Sequence, residues 1–198
     1  MDKIKSAWEI ALEKTSDIKA DKKALAEKEL LEQGKRLASQ YLEDEERYPL
    51  MEALAGLPAE SRRKAMQGAL TTLLANLTLP LSDLTEQRNK LAMKGLLSLA
   101  SQEKAVAQIL RQIDGFFQSF RAERDRLTQM LEQQYKPRLR QKQEALAKQL
   151  GAVVELKAEQ DPEFVAMLKK NLATFDERYG EALNEAKAEL TRLISKEL

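Results

Sequence analysis

Between Gln102 and Gln134 the chain carries no proline and a single glycine, Gly115, while its apolar residues recur at intervals of three and four: Val106, Ile109/Leu110, Ile113, Phe116/Phe117, Phe120, Leu127 and Met130/Leu131. That period places them on one face of an α-helix. Three of the five phenylalanines fall in this stretch. The pattern predicts a long central helix against which the other segments pack.

The rest of the sequence agrees with an all-α reading. Ala, Leu, Glu, Lys, Gln and Arg dominate, all strong helix formers. Charged residues make up 33% of the 198 and aromatic residues 5%. With 7 Gly and 5 Pro there is little turn chemistry for strands. This balance predicts long helices with much surface: a bundle or antiparallel coiled-coil hairpin with a smaller apolar helical subdomain. The expected organisation is one elongated protein over 1–198, with N-terminal helices in 1–47, a short-helix apolar part in 49–100 and a long-helix hairpin in 102–198.

Local signals divide the chain further. A first helix is expected from Asp2 to about Thr15, and a second, capped by Asp17 or Asp21, to Glu46. Ile4, Trp8 and Leu12 line the first. Trp8, the single Trp, reads as a core or interhelical anchor. A membrane-surface helix is the competing reading, because Lys3, Lys5 and Lys14 flank it, but Asp2, Glu9 and Glu13 offset that charge. Gly34 on the apolar face of the second helix marks either a close helix crossing or a weak point. The acidic run Glu43–Glu46 opposes the helix dipole and helps to end the helix.

The opening Ile4-Lys5-Ser6-Ala7 and Glu9–Thr15, with Gly34-Lys35-Arg36-Leu37-Ala38 and Tyr41-Leu42-Glu43-Asp44, resembles an uncharacterised family of bacterial helical proteins, a domain of unknown function. The resemblance covers the first quarter of the chain. It implies a bacterial cytoplasmic protein and supplies no activity, cofactor or functional residue.

Further helices are expected at Pro49–Ala55, from Pro58 to Leu77, and from Ser82 to Ala100, with Ser82 as N-cap. Arg62, Arg63 and Lys64 form a basic cluster that reads as solvated surface. Pro137 predicts a kink or break in the central helix, with helix resuming from Arg138 to Leu150. Ala152–Leu156 is expected to be a loop or a helical continuation. Asp161-Pro162-Glu163 is a helix start. The final helix spaces Leu168, Leu172, Phe175, Tyr179, Ala182, Ala186, Glu189 and Leu193 most nearly as a heptad, with Leu183, Leu190 and Ile194 flanking the seam. It should fold back antiparallel on residues 102–150.

Several chemistries are excluded. No Cys means no disulfide or thiolate chemistry, and no His removes the commonest general base and metal ligand. A His-containing dimetal bundle site cannot be built, and no glycine-rich phosphate loop is present. No catalytic, cofactor-binding or metal-binding residue is expected, and no cofactor. No secretory signal or membrane-spanning stretch is visible, which implies a cytoplasmic protein.

Two functions remain. The first is a non-catalytic scaffold, adaptor or stalk that binds a protein partner, or a second copy of itself, through helix–helix contacts; Trp8, Phe116, Phe117 and Phe120 are the candidate contacts. The second is nucleic-acid association through Arg121, Arg124, Arg138, Arg140 and Lys142, with Tyr135 placed to stack on a base. Residues 121–154 carry 8 basic and 4 acidic side chains, a net +4, while residues 155–198 carry 7 and 10, a net −3. The acidic C-terminal helix is therefore expected to neutralise the basic stretch.

Overall fold

The computed structural model describes residues 7–153 and 155–196, with side chains described from residue 24 onward. Trp8, Ile4, Leu12 and the basic residues around them lie outside the described side chains, and Val154 outside the described residues. Six α-helices follow in order: α1 (Ala7–Glu43), α2 (Leu50–Ala55), α3 (Ala59–Asn76), α4 (Asp83–Ser98), α5 (Glu103–Leu150) and α6 (Pro162–Ser195), with a 3-10 turn at Ala158–Gln160 before the last. Among the described residues there is no strand, and the protein is all-α.

Two features differ from the sequence expectation. One helix, α1, replaces the two expected over 2–46. Between Thr15 and Asp21 there is no Gly or Pro to stop it, so capping residues sit inside the helix. Likewise α5 runs through Pro137 without a break. Proline removes one donor and crowds the carbonyl four residues back, but 48 residues of otherwise continuous helix outweigh a single missing bond.

The chain divides into two units, one of Met1–Leu77, Arg88–Val106 and Thr191–Leu198, the other of Thr78–Gln87 and Ala107–Leu190. In the first, α1 and α3 cross at very short range. A Cβ added to Gly34 would stand 1.8 Å from the Ala65 carbonyl oxygen, and one added to Gly68 would stand 2.0 Å from that of Leu31. Gly34 is thus a close crossing. Ala38, Ala65 and Ala69 are fully buried beside it. Leu73, Leu77, Ala92 and Leu96 complete this core, and the Tyr41 hydroxyl donates to the Leu91 carbonyl at 3.2 Å. Arg62 of the basic cluster caps α2: its Nη2 donates to the carbonyls of Ala55 at 2.8 Å and Leu57 at 3.1 Å, where helix carbonyls lack partners. Lys64 pairs with Glu27 at 3.0 Å.

In the second unit, helix starts follow the local code. Ser82 Oγ accepts the Thr85 amide at 3.2 Å, and Asp161 Oδ1 accepts that of Glu163 at 3.0 Å. Gly151, at φ 65°, ends α5 in the left-handed conformation that glycine adopts without a Cβ penalty.

Two substitutions test these points. Gly34→Ala forces a Cβ into backbone that cannot rotate away, and thermal unfolding should show a loss of about 1–3 kcal/mol, the usual cost of overpacking, despite alanine's better helix propensity. Pro137 is exposed, so Pro137→Ala should gain about 1–3 kcal/mol by restoring the helix bond. No gain would show that α5 is broken there in solution.

Candidate functional site

The second unit is organised by α5 and α6, which run antiparallel. Phe116 meets Tyr179 with ring centroids 5.0 Å apart, Phe120 stacks on Phe175 at 5.6 Å, and Tyr135 meets Phe164 at 5.2 Å. As numbers rise along α5 they fall along α6. Phe120 also meets Tyr179 edge-on at 5.1 Å, and Phe175 lies 4.7 Å from Tyr179. Offset and edge contacts of this kind add stability beyond area burial. Toward the turn, Leu131, Tyr135 and Phe164 form a buried cluster with Leu127, Leu139, Met167 and Leu168 around it.

The face α6 turns inward is not the expected heptad. Phe164, Leu168, Leu172, Phe175, Tyr179, Leu183, Ala186 and Leu190 are buried or half-buried, whereas Ala182 is exposed. Their steps run four, four, three, an 11-residue repeat close to the natural turn of a straight helix. A strict heptad would drift away from this face, and its seam would take in the polar Glu189.

The two flanks of this pair are unlike. On α5, Arg121, Arg124 and Thr128 share one flank by their spacing. Arg124 Nε bonds Asp176 Oδ1 at 3.1 Å, and Arg121 pairs with Asp83 at 3.2 Å and with Glu86. That flank is tied by ions. The opposite flank presents Phe116, Ser119, Glu123, Leu127 and Met130 from α5, and Met167, Asn171, Thr174, Arg178 and Ala182 from α6. Two adjoining hollows open there, both lined by Phe175 and Arg178. One, of about 380 Å³, is lined also by Phe116, Ser119, Glu123, Tyr179 and Ala182. The other, of about 710 Å³, is lined also by Leu127, Ala166, Met167, Lys170, Asn171 and Thr174. Met130, three residues beyond Leu127 on α5, is 48% exposed. Burial pushes the Tyr179 hydroxyl above its usual value, with Glu123 beside it acting in the same sense.

The candidate residues are therefore divided. Phe117 and Phe120 are turned into the chain's own interior, 5% and 0% exposed, while Phe116 is half-buried and lines the groove. Of the five candidate cations, Arg121 and Arg124 are paired as above, Arg138 pairs with Glu163, Lys142 pairs with Asp161 and Glu163, and Arg140 is exposed. Tyr135 is 4% exposed and packed on Phe164, so its ring is not presented to a base.

Composition gave no hint of the polar cluster at the α5–α6 turn. Asp161, 3% exposed, accepts from Lys142 Nζ at 2.6 and 2.8 Å, from the Tyr135 hydroxyl at 2.8 Å and from the Glu163 amide. Lys142 also reaches Glu163 at 3.0 Å. Its hydrogen bond holds the Asp161 carboxyl below its usual range against the opposing effect of burial, and Tyr135 and the Glu163 amide act with it. Asp161, then Tyr135, raise Lys142 above its usual value. Burial raises the Tyr135 hydroxyl, with the ammonium opposing. Two cations meet two anions here, so the cluster closes the turn with its charges balanced. The sequence signal was the helix-start triplet Asp161-Pro162-Glu163; the partners at 135 and 142 depend on the register of two helices.

Comparison with known proteins places residues 51–192 in a family of unknown function, DUF6657. The match spans well over half of the chain, which belongs to that family. It begins beyond the quarter that carried the sequence resemblance. No curated protein and no solved structure matches. Among the described residues, no helix is long and apolar enough to cross a membrane.

Asp161 gives a pH test. Because its folded value lies below the usual 3.8, its stabilisation is present above that value and is lost as pH falls through the folded one. Lys142 is raised above 10.5, so its share persists below that value and is lost only as pH rises past the folded one. Asp161→Asn should lower the melting temperature at pH 7 by several degrees, and the gap from the parent chain should close in acid below pH 3.8. An equal gap at all pH values would contradict this.

Proposed function

We propose that this chain is a non-catalytic scaffold or adaptor, working in the bacterial cytoplasm through helix–helix contacts, with α5 and α6 used as a coiled-coil-like stalk. The observation that carries the reading is the unlike treatment of the two flanks of α5 and α6. One is tied by ion pairs within the chain, and the other is a groove with an apolar floor and polar rims. From Ala166 to Ala182 it follows roughly 24 Å of helix at ~1.5 Å per residue, enough for more than four turns of an amphipathic helix. The sequence supports the non-catalytic part by lacking Cys, His and a phosphate loop. Nucleic-acid association is the second reading. The pairing of Arg121, Arg124, Arg138 and Lys142 with carboxylates weighs against it, because counterion release needs uncompensated cations.

The test is capture on the full chain with and without nuclease, beside the double variant Met130→Glu, Thr174→Glu, whose fold is checked by circular dichroism. Both positions are exposed. The parent should retain a protein in stoichiometric amount, this chain or another, that survives nuclease and is lost from the variant. Material that depends on nucleic acid, or that binds the variant equally, would overturn the reading.

A further inference from the structure

The charges along the open flank of α6 bear on the choice of partner. On the open side of α6, Lys170 stands at the N-terminal end, Arg178 stands near the middle, and Glu181 and Glu185 stand at the C-terminal end, all exposed. An antiparallel copy centred between Thr174 and Arg178 brings Lys170 level with Ala182 of its partner, between the partner's Glu181 and Glu185. The two ends of the rim are thus complementary under a twofold axis, as an isologous contact requires. The floor suits the same occupant. Phe116, Leu127, Met167 and Phe175 are half-buried and Met130 is exposed, while Ser119, Ala166, Thr174 and Ala182 are small enough to let a second helix approach.

We propose that the open flank of α5 and α6 is the surface through which two copies of this chain pair antiparallel into a four-helix bundle. The inference rests on the helix-docking reading above and names its partner. A face roughly 24 Å long and ~20 Å across two helices covers about 500 Å² per copy, below the ~800 Å² per partner of a standard stable interface. The dimer is therefore weak and forms with rising concentration.

Sedimentation equilibrium of the full chain across a concentration series tests this, with Lys170→Glu, the pair Glu181→Lys, Glu185→Lys, and all three changes together. The parent should move from monomer to dimer. Each charge change alone should weaken pairing roughly tenfold, since the contact occurs twice and turns repulsive, and the combination should restore it. A parent that stays monomeric, or variants that pair as the parent does, or a combination that fails to recover while folded by circular dichroism, would overturn the proposal. If the chain stays monomeric yet captures a different protein through this groove, the inference falls and the helix-docking reading stands. If nothing binds the groove at all, both fall.

Discussion

The aromatic seam between α5 and α6 is the contact on which the second unit depends. Helices this rich in charge are marginal alone and draw their stability from a partner face. Phe120, fully buried between Phe175 and Tyr179, and Phe164, buried against Tyr135, supply that face at two places along it. The Asp161–Lys142–Tyr135 cluster closes the turn between them. A buried carboxylate is costly unless its charge and lone pairs are met, and here an ammonium, a hydroxyl and an amide meet them. The turn is therefore specific to one register of α6 on α5.

Once that register is set, the flanks acquire their characters. Arg124 reaches Asp176, and Arg121 reaches the start of α4, which ties one side. On the other side Glu123 lies beside the Tyr179 hydroxyl, and Phe116, Leu127, Met167 and Phe175 are left half-covered. An apolar strip between polar rims on an otherwise highly charged pair of helices is the kind of surface that marks an interaction site.

What was legible in the sequence was mostly local. Ser82 and Asp161 cap helices because an N-cap needs only its own next three residues. The helical period of 102–134 announced the inward face of α5 down to Phe117 and Phe120. Gly34 was visible as an anomaly, and the structure resolves it into a backbone-to-backbone crossing with Ala65. The errors came where a local rule met a longer context. Pro137 and the polar residues of 15–21 are stop signals that continuous helix on both sides overrides. The seam of α6 was assigned to a heptad because the two repeats differ only by where a step of three falls. Nor could the ion partners of Arg121 and Arg138 be read, since each lies on another helix whose register only packing determines. That also decides the fate of Tyr135, an aromatic among cations in sequence and a buried core residue in the fold.

Membership of a family of unknown function leaves the chemistry of the fold to carry the functional account, and that account turns on the open flank being covered by another helix pair. Hydroxyl-radical footprinting of the full chain over a concentration series tests it most directly. Met130, Phe116 and Met167 should react in dilute solution and become protected as concentration rises, while Leu84, 72% exposed and on the α4 start, stays reactive and Phe120 stays protected throughout. Groove residues whose reactivity does not change with concentration, while the rest of the pattern holds, would contradict the account.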